Sequence, residues 1–436
     1  MSEYPRAVAL IDGEHYPEVV CAAFTELPYQ VVAAVALGGT EKLKGDEDYG
    51  VPVFESLEAA LDEARAEVVI DLSDEPVVTP RDRFRLASRT LAAGLPYVGA
   101  DFRFDPVAFA PFDTPAIAVI GSGKRVGKTA VAGHLARVLA ETREVVIVAM
   151  GRGGPPEPVV VEVPPGVSDL LERSRAGSHA ASDYLEDAAL ARVVTVGARR
   201  CGGGLAGAPF TSNVEEAARI AAERDPDVVI FEGSGAALPP VEVGARVLVA
   251  RAAADLDLVT GYLGAYRLLL SDLVVVTSCE EPLATAEDVD RMREAIAEVK
   301  PDLRVVATLF RQRPAEPVDG RRVALFSTSP DQVHHRLCRH LEEVHGANVV
   351  LVSGNLSNRQ KLREDLESEG ARDAEVYLVE IKAAAIDVVA EAASERGIDV
   401  VFADNEVLSV EGEPDLDEEL RTLADAATTK EVPAAR

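Results

Sequence analysis

The stretch AIAVIGSGKRVGKTAVAGHLARVLA, residues 116–140, decides the fold. It opens on an uninterrupted apolar run, which reads as a strand covered on both faces. It closes on Ala, Val and Leu at helical spacing. Between them lies Gly121-Ser122-Gly123-Lys124-Arg125-Val126-Gly127-Lys128-Thr129. Strand, glycine-rich turn and helix in that order make a phosphate-binding loop: the backbone turns its N–H groups onto phosphate oxygens, and the helix N-terminus adds its dipole. Lys128 is placed to bridge the terminal phosphates of a nucleotide, and the Thr129 hydroxyl to coordinate Mg²⁺.

Working outward, short β-branched runs alternate with Ala/Leu/Glu/Arg stretches of helical period along nearly the whole chain. The fold class expected is α/β, with largely parallel sheets flanked by helices. The stretch FRFDPVAFAPFDTP (102–115) breaks helix formation at Pro106, Pro111 and Pro115 and reads as a connector. Three units are therefore expected: a Rossmann-like N-terminal unit over 1–112, a central P-loop nucleotide-binding unit over 113–320, and a C-terminal α/β unit over 321–436. The last begins after the Pro- and charge-rich RQRPAEPVDG, and its acidic end, after Val410, is expected to fray.

The 436 residues carry 74 acids against 44 bases, a formal charge of −30. A field of that sign argues against nucleic acid or an anionic membrane surface as partner. No apolar run approaches the ~18 residues of a membrane span, and the N-terminus lacks a signal-peptide pattern. The four cysteines are dispersed without a C-x-x-C pair, so a reducing cytoplasm fits best. Only 8 of the 44 bases are Lys, which makes Lys124 and Lys128 in one loop less casual than usual.

Other segments fall where parallel strands end. Asp227-Val-Val-Ile-Phe-Glu232-Gly-Ser-Gly235 is a strand closing on an acid and a glycine turn, and Glu232 is the second expected Mg²⁺ ligand. Arg152 in Met150-Gly-Arg-Gly-Gly154, the pair Arg199-Arg200 before Cys201-Gly-Gly-Gly204, and Arg311/Arg313 follow strands on the edge where such sheets bind ligands. Singly each is an ordinary solvated turn; jointly, in so acidic a chain, they suggest a polyanionic ligand. His15, in Asp12-Gly13-Glu14-His15, is an acid/base or substrate-binding candidate, although no G-x-G-x-x-G accompanies it. His334 and Cys338 share a helix face at i, i+4, but no third ligand joins them.

The loop G-x-x-x-x-x-G-K-T resembles that of dethiobiotin synthetase and related nucleotidases, and Glu232 with its glycines resembles that group's metal-facing strand. Lys124 lies one place after the position where MinD-like members carry a second lysine. As an ordered set, LIDGEHYP (10–17), GSGKRVGKT (121–129), MGRGGPPEP (150–158), FEGSG (231–235) and VEIKAAAID (379–387) resemble the cyclic 2,3-diphosphoglycerate synthetase family from residue 8 to about 410. That resemblance implies ATP-dependent closure of 2,3-bisphosphoglycerate to its cyclic pyrophosphate, releasing ADP and phosphate. Lys124 and Lys128 would then act on ATP with Mg²⁺, while Arg152, Arg199, Arg200, Lys382 and His15 hold the bisphosphate; catalysis would fall to Lys128, Lys124, Glu232 and Arg152. Two other readings stay open: a dethiobiotin-synthetase-like ligase activating a carboxylate, and a MinD-like regulatory ATPase. A homodimer suits each of them.

Overall fold

The computed structural model describes residues 4–39, 48–177, 180–382 and 384–429. An N-terminal six-stranded sheet runs in the order Val53–Phe54, Gln30–Ala36, Arg6–Ile11, Val68–Asp71, Tyr97–Val98, Arg103–Phe104. All its pairings are parallel except the last. Chain order reverses beside Arg6–Ile11, so the crevice beyond that strand's C-terminal end is the topological switch point.

The second sheet is continuous over thirteen strands. At its centre Ala116–Gly121 lies between Val228–Glu232 and Ala245–Arg251, parallel to both. All six residues of Ala116–Gly121 are buried, as expected of a strand with helices on both faces. Because Glu232 pairs with Val119, the two strands end side by side and deliver the glycine loop and the acid to one edge.

The strand Arg304–Pro314 does two jobs. Its start pairs parallel with Leu273–Thr277; the rest pairs antiparallel with Asp399–Ser409. The sheet thereby continues into Val376–Glu380, Arg322–Phe326 and Asn348–Ser353. Arg137 of the helix Lys128–Ala140 forms an ion pair with Asp404, which also holds Arg313. The helix of the phosphate loop is thus tied to the C-terminal strands.

The connector is anchored rather than loose: Phe112 packs edge-on against Phe231 and Ala110 bridges Val241. The acidic end also differs from expectation. Leu416–Thr429 is a helix whose Leu416, Leu420, Leu423, Ala424 and Ala427 are buried against the main core. An apolar stripe at helical spacing outweighs the surrounding acids. Residues 430–436 lie outside the described part of the chain.

Candidate active site

The glycine loop is shaped by what crowds it. Gly127 adopts φ +93°, and a Cβ there would lie 2.4 Å from the Phe310 ring, so any side chain would meet both backbone strain and a clash. Gly235 has φ +63° and sits beneath two guanidinium groups, 2.7 Å from Arg152 Nη2 and 3.4 Å from Arg200 Nη2, measured from where its Cβ would stand. Arg152 and Arg200 therefore converge over the turn that follows Glu232.

Lys128 is buried and its Nζ donates to the Gly123 carbonyl at 3.1 Å, so it reaches back across its own loop. Burial pulls its pKa down, while the charges of Glu232 and Asp183 oppose that. The Thr129 hydroxyl donates to Glu232 Oε1 at 2.7 Å. Around them lies a cavity of ≈ 370 Å³, lined by Lys124, Arg125, Lys128, Arg152 and Lys382 together with Asp183, Glu186 and Glu232. Five cations against three carboxylates give this cavity a sign opposite to that of the whole chain. A second hollow of ≈ 190 Å³ shares Arg125, Lys128, Thr129, Glu186 and Lys382 and extends to Asp404 and Asn405.

Lys382 comes from the C-terminal unit, after the strand Val376–Glu380, and its Nζ lies 3.3 and 3.2 Å from the two Glu186 oxygens. That contact raises the Lys382 pKa. Burial pushes Glu186 up and Lys382 opposes the push. The helix Asp183–Ala191, which supplies Glu186, also supplies Asp183 and Asp187. Sequence reasoning missed all three, because acids on a helix ordinarily mark a solvated face. The available signal was Asp187 directly before the apolar run Ala188–Ala191, where a helix buried on that side leaves a carboxylate no exit.

Asp187 is 1% exposed and neither of its oxygens receives a donor. Its neighbour is the Glu232 carboxyl, so a hydrogen bond between them needs a shared proton. Burial, and then the charge of Glu232, raises Asp187 well above the ordinary carboxyl range. Burial, and then the charge of Asp183, pushes Glu232 up to about 7. Hard, acceptor-only oxygens left unpaired in a closed place, beside the Thr129 hydroxyl, suit Mg²⁺. Among the described residues no three His, Cys, Asp or Glu side chains form a closed cage. That is compatible with Mg²⁺, which keeps waters and substrate phosphates among its ligands.

A pH dependence follows for the protein without ligands. A carboxyl whose folded pKa is raised binds more protons folded than unfolded, so stability falls as pH rises from about 4.5 to about 7. Glu232→Gln should flatten that slope and stabilise the ligand-free protein at pH 8 by on the order of 2 kcal/mol. Thermal melts at pH 5.5 and 8 check it; parallel shifts of variant and wild type would refute it.

The remaining expected residues divide. Arg200 is buried, its Nη1 and Nη2 donating to the Gly202 and Ser234 carbonyls at 2.5 and 2.7 Å. Arg199, one residue earlier on the same strand, is exposed and lines neither hollow. His15 lines a different cavity, on the N-terminal sheet, and the structure does not bring it together with the loop. Arg311 is taken up by Glu280.

Family models described as the N-terminal, P-loop and C-terminal domains of cyclic 2,3-diphosphoglycerate synthetase match residues 6–105, 116–309 and 314–406. A protein named cyclic 2,3-diphosphoglycerate synthetase from Rubrobacter xylanophilus is 53% identical over 97% of this chain and 98% of its own. One of the same name from Methanothermus fervidus is 42% identical over 93% of each. Among solved structures, LpxK from Aquifex aeolicus, in complex with ATP, aligns with a TM-score of 0.41 at 14% identity, over 74% of this chain and 90% of its own.

Proposed function

The chain belongs to the cyclic 2,3-diphosphoglycerate synthetase family, and on that premise we propose that it closes 2,3-bisphosphoglycerate into its cyclic pyrophosphate at the expense of ATP. The observation that carries this reading is the cation-lined cavity between the phosphate loop and Gly235, in a chain of charge −30. Such a cavity suits two polyanions brought together.

A phosphomonoester oxygen is a poor leaving group. One substrate phosphate therefore takes the γ-phosphoryl group of ATP, breaking the β,γ-anhydride and releasing ADP. An oxygen of the neighbouring phosphate then attacks the phosphorus of the substrate phosphate so activated. A new P–O–P bond closes the ring and inorganic phosphate departs. Each step aligns anions, so the protein's work is charge neutralisation and orientation.

The loop amides and Lys128 hold the β- and γ-phosphates, with Lys124 at the mouth. Arg152 clamps the bisphosphate, and Arg200 braces the turn beneath it through Ser234. Lys382 completes the ring of cations from the C-terminal side, released from Glu186 when a phosphate competes for it. Mg²⁺, held by Thr129 and Glu232 with Asp187 beside them, would neutralise phosphate charge. Arg199 and His15 lie outside this set. No described helix is long and apolar enough to cross a membrane, and a cytoplasmic homodimer is the form we expect.

The test is product formation. With Mg²⁺, ATP and 2,3-bisphosphoglycerate, ³¹P spectra should gain a pyrophosphate resonance distinct from ADP, with one phosphate released per ADP. If ATP is consumed only with a carboxylate substrate, or only alongside a nucleotide-dependent change in mass, the ligase or regulatory-ATPase alternative replaces this one.

A further inference from the structure

We propose that the N-terminal unit carries a second small-molecule site, in the crevice lined by His15, Arg83 and Asp74, and that its ligand is a small hydroxylated anion. The crevice lies beyond the C-terminal ends of Arg6–Ile11 and Val68–Asp71, at the switch point of the six-stranded sheet, where open parallel sheets bind ligands. It encloses ≈ 550 Å³, within the size range of small-molecule sites.

Its walls are fixed by buried carboxylates that have no further capacity. Asp12, 2% exposed, accepts from His15 Nδ1 at 2.9 Å and from the backbone N–H groups of Glu14 and His15 with one oxygen. Its other oxygen accepts from the Asp74 N–H at 2.6 Å, tying the two walls together. Asp71, likewise buried, takes Ser73 Oγ, Tyr97 Oη and Arg83 Nε. These bonds explain how the crevice is held, and they leave other groups for a ligand.

With Nδ1 held by Asp12, His15 has Nε2 left as its second ring nitrogen, on a side chain 36% exposed. Arg83 spends Nε on Asp71 and Nη2 on the Ser73 carbonyl, and carries further N–H donors on the cavity wall. Imidazole and guanidinium together suit an oxyanion, carboxylate or phosphate. Asp74 and Asp101 also line the crevice and offer acceptors, which suits ligand hydroxyls and disfavours a bare anion. Val20 and Phe102 supply apolar wall for a carbon skeleton. None of these residues lines the hollows around the phosphate loop.

The experiment uses the full chain with 3-phosphoglycerate, glycerate and inorganic phosphate as probes, in wild type and in Lys128→Ala. The His15 ring resonances, assigned with His15→Gln, are followed by NMR, and affinities by calorimetry. His15 should shift saturably with 3-phosphoglycerate or glycerate in both backgrounds, with affinities within about twofold. His15→Gln and Arg83→Gln should weaken binding about tenfold, as for a lost charge-assisted hydrogen bond; melts establish that each is folded. Which of the two acids binds tighter identifies the oxyanion. An unmoved ring, equal affinity in His15→Gln, or equal binding of bare phosphate overturns the proposal. ATP binding, measured separately, tests the phosphate loop and does not bear on the crevice.

Discussion

Lys128→Ala is expected to lower ATP turnover by roughly 10²–10³-fold, the scale on which one preorganised electrostatic donor acts on developing charge. Lys128 is the cation best excluded from water in the cavity, and a charge–charge contact gains strength as water is excluded. It lies between the loop carbonyl of Gly123 and the acids Glu232 and Asp183, so its removal also leaves those acids with less opposing charge. Lys128→Met keeps most of the aliphatic stem and fills the space beside Gly121, where the lysine stem packs. Loss of turnover in both variants, with melting curves near that of wild type, would assign the effect to charge rather than packing. Phosphate release within twofold of wild type in Lys128→Met would remove the loop as the ATP site.

How much of this was legible in sequence depended on whether the signal was local. The loop at 121–129 and the strand ending in Glu232 each declare themselves within about ten residues, and strand pairing then brings them together. The three acids of Asp183–Ala191 do not. Their meaning comes from burial against Glu232 and Lys382, residues far away in the chain. Arg199 and Arg200 show the opposite error. Read as a loop pair they look equivalent, but they belong to the strand Val194–Cys201, where successive side chains point to opposite faces. Only Arg200 turns inward. His15 was placed at the edge of the N-terminal unit's own sheet, and it lies there, lining a cavity separate from the phosphate loop. The resemblance grouped it with the bisphosphate-holding residues, but that grouping carries no information about distance between the two sheets. The docked helix Leu416–Thr429 was hidden because its acids dominated the reading while Leu416, Leu420 and Leu423 carried the packing.

Arg152→Lys is expected to raise the Michaelis constant for 2,3-bisphosphoglycerate by about 10-fold or more, whereas Arg199→Lys should leave it within twofold. The substrate carries about four to five negative charges, from two phosphates and a carboxylate. The protein carries thirty in excess. Long-range attraction therefore cannot gather the substrate, and the holding force must act at contact range. A guanidinium can grip two phosphate oxygens in one plane; an ammonium keeps the charge and loses the fork. Arg152 stands over Gly235 on the cavity wall with Arg200 beside it, and Arg200 is already committed to two carbonyls. Arg152 is thus the arginine there with a fork to offer. ATP affinity should change little, since the loop amides and Lys128 serve it. Ionic strength separates the two fields. Moderate salt screens the repulsion between substrate and the distant acids, but barely reaches contacts from which water is excluded. Turnover at sub-saturating substrate should hold or rise between 50 and 200 mM salt, about the range over which the screening length shortens appreciably. Steady-state kinetics of wild type, Arg152→Lys and Arg199→Lys at those two salt concentrations decides the matter. A steep fall with salt would mean that exposed cations steer the substrate. Equal constants for all three proteins would mean that Arg152, like Arg199, is a solvated turn, and the bisphosphate would have to be held from the Lys382 side of the cavity.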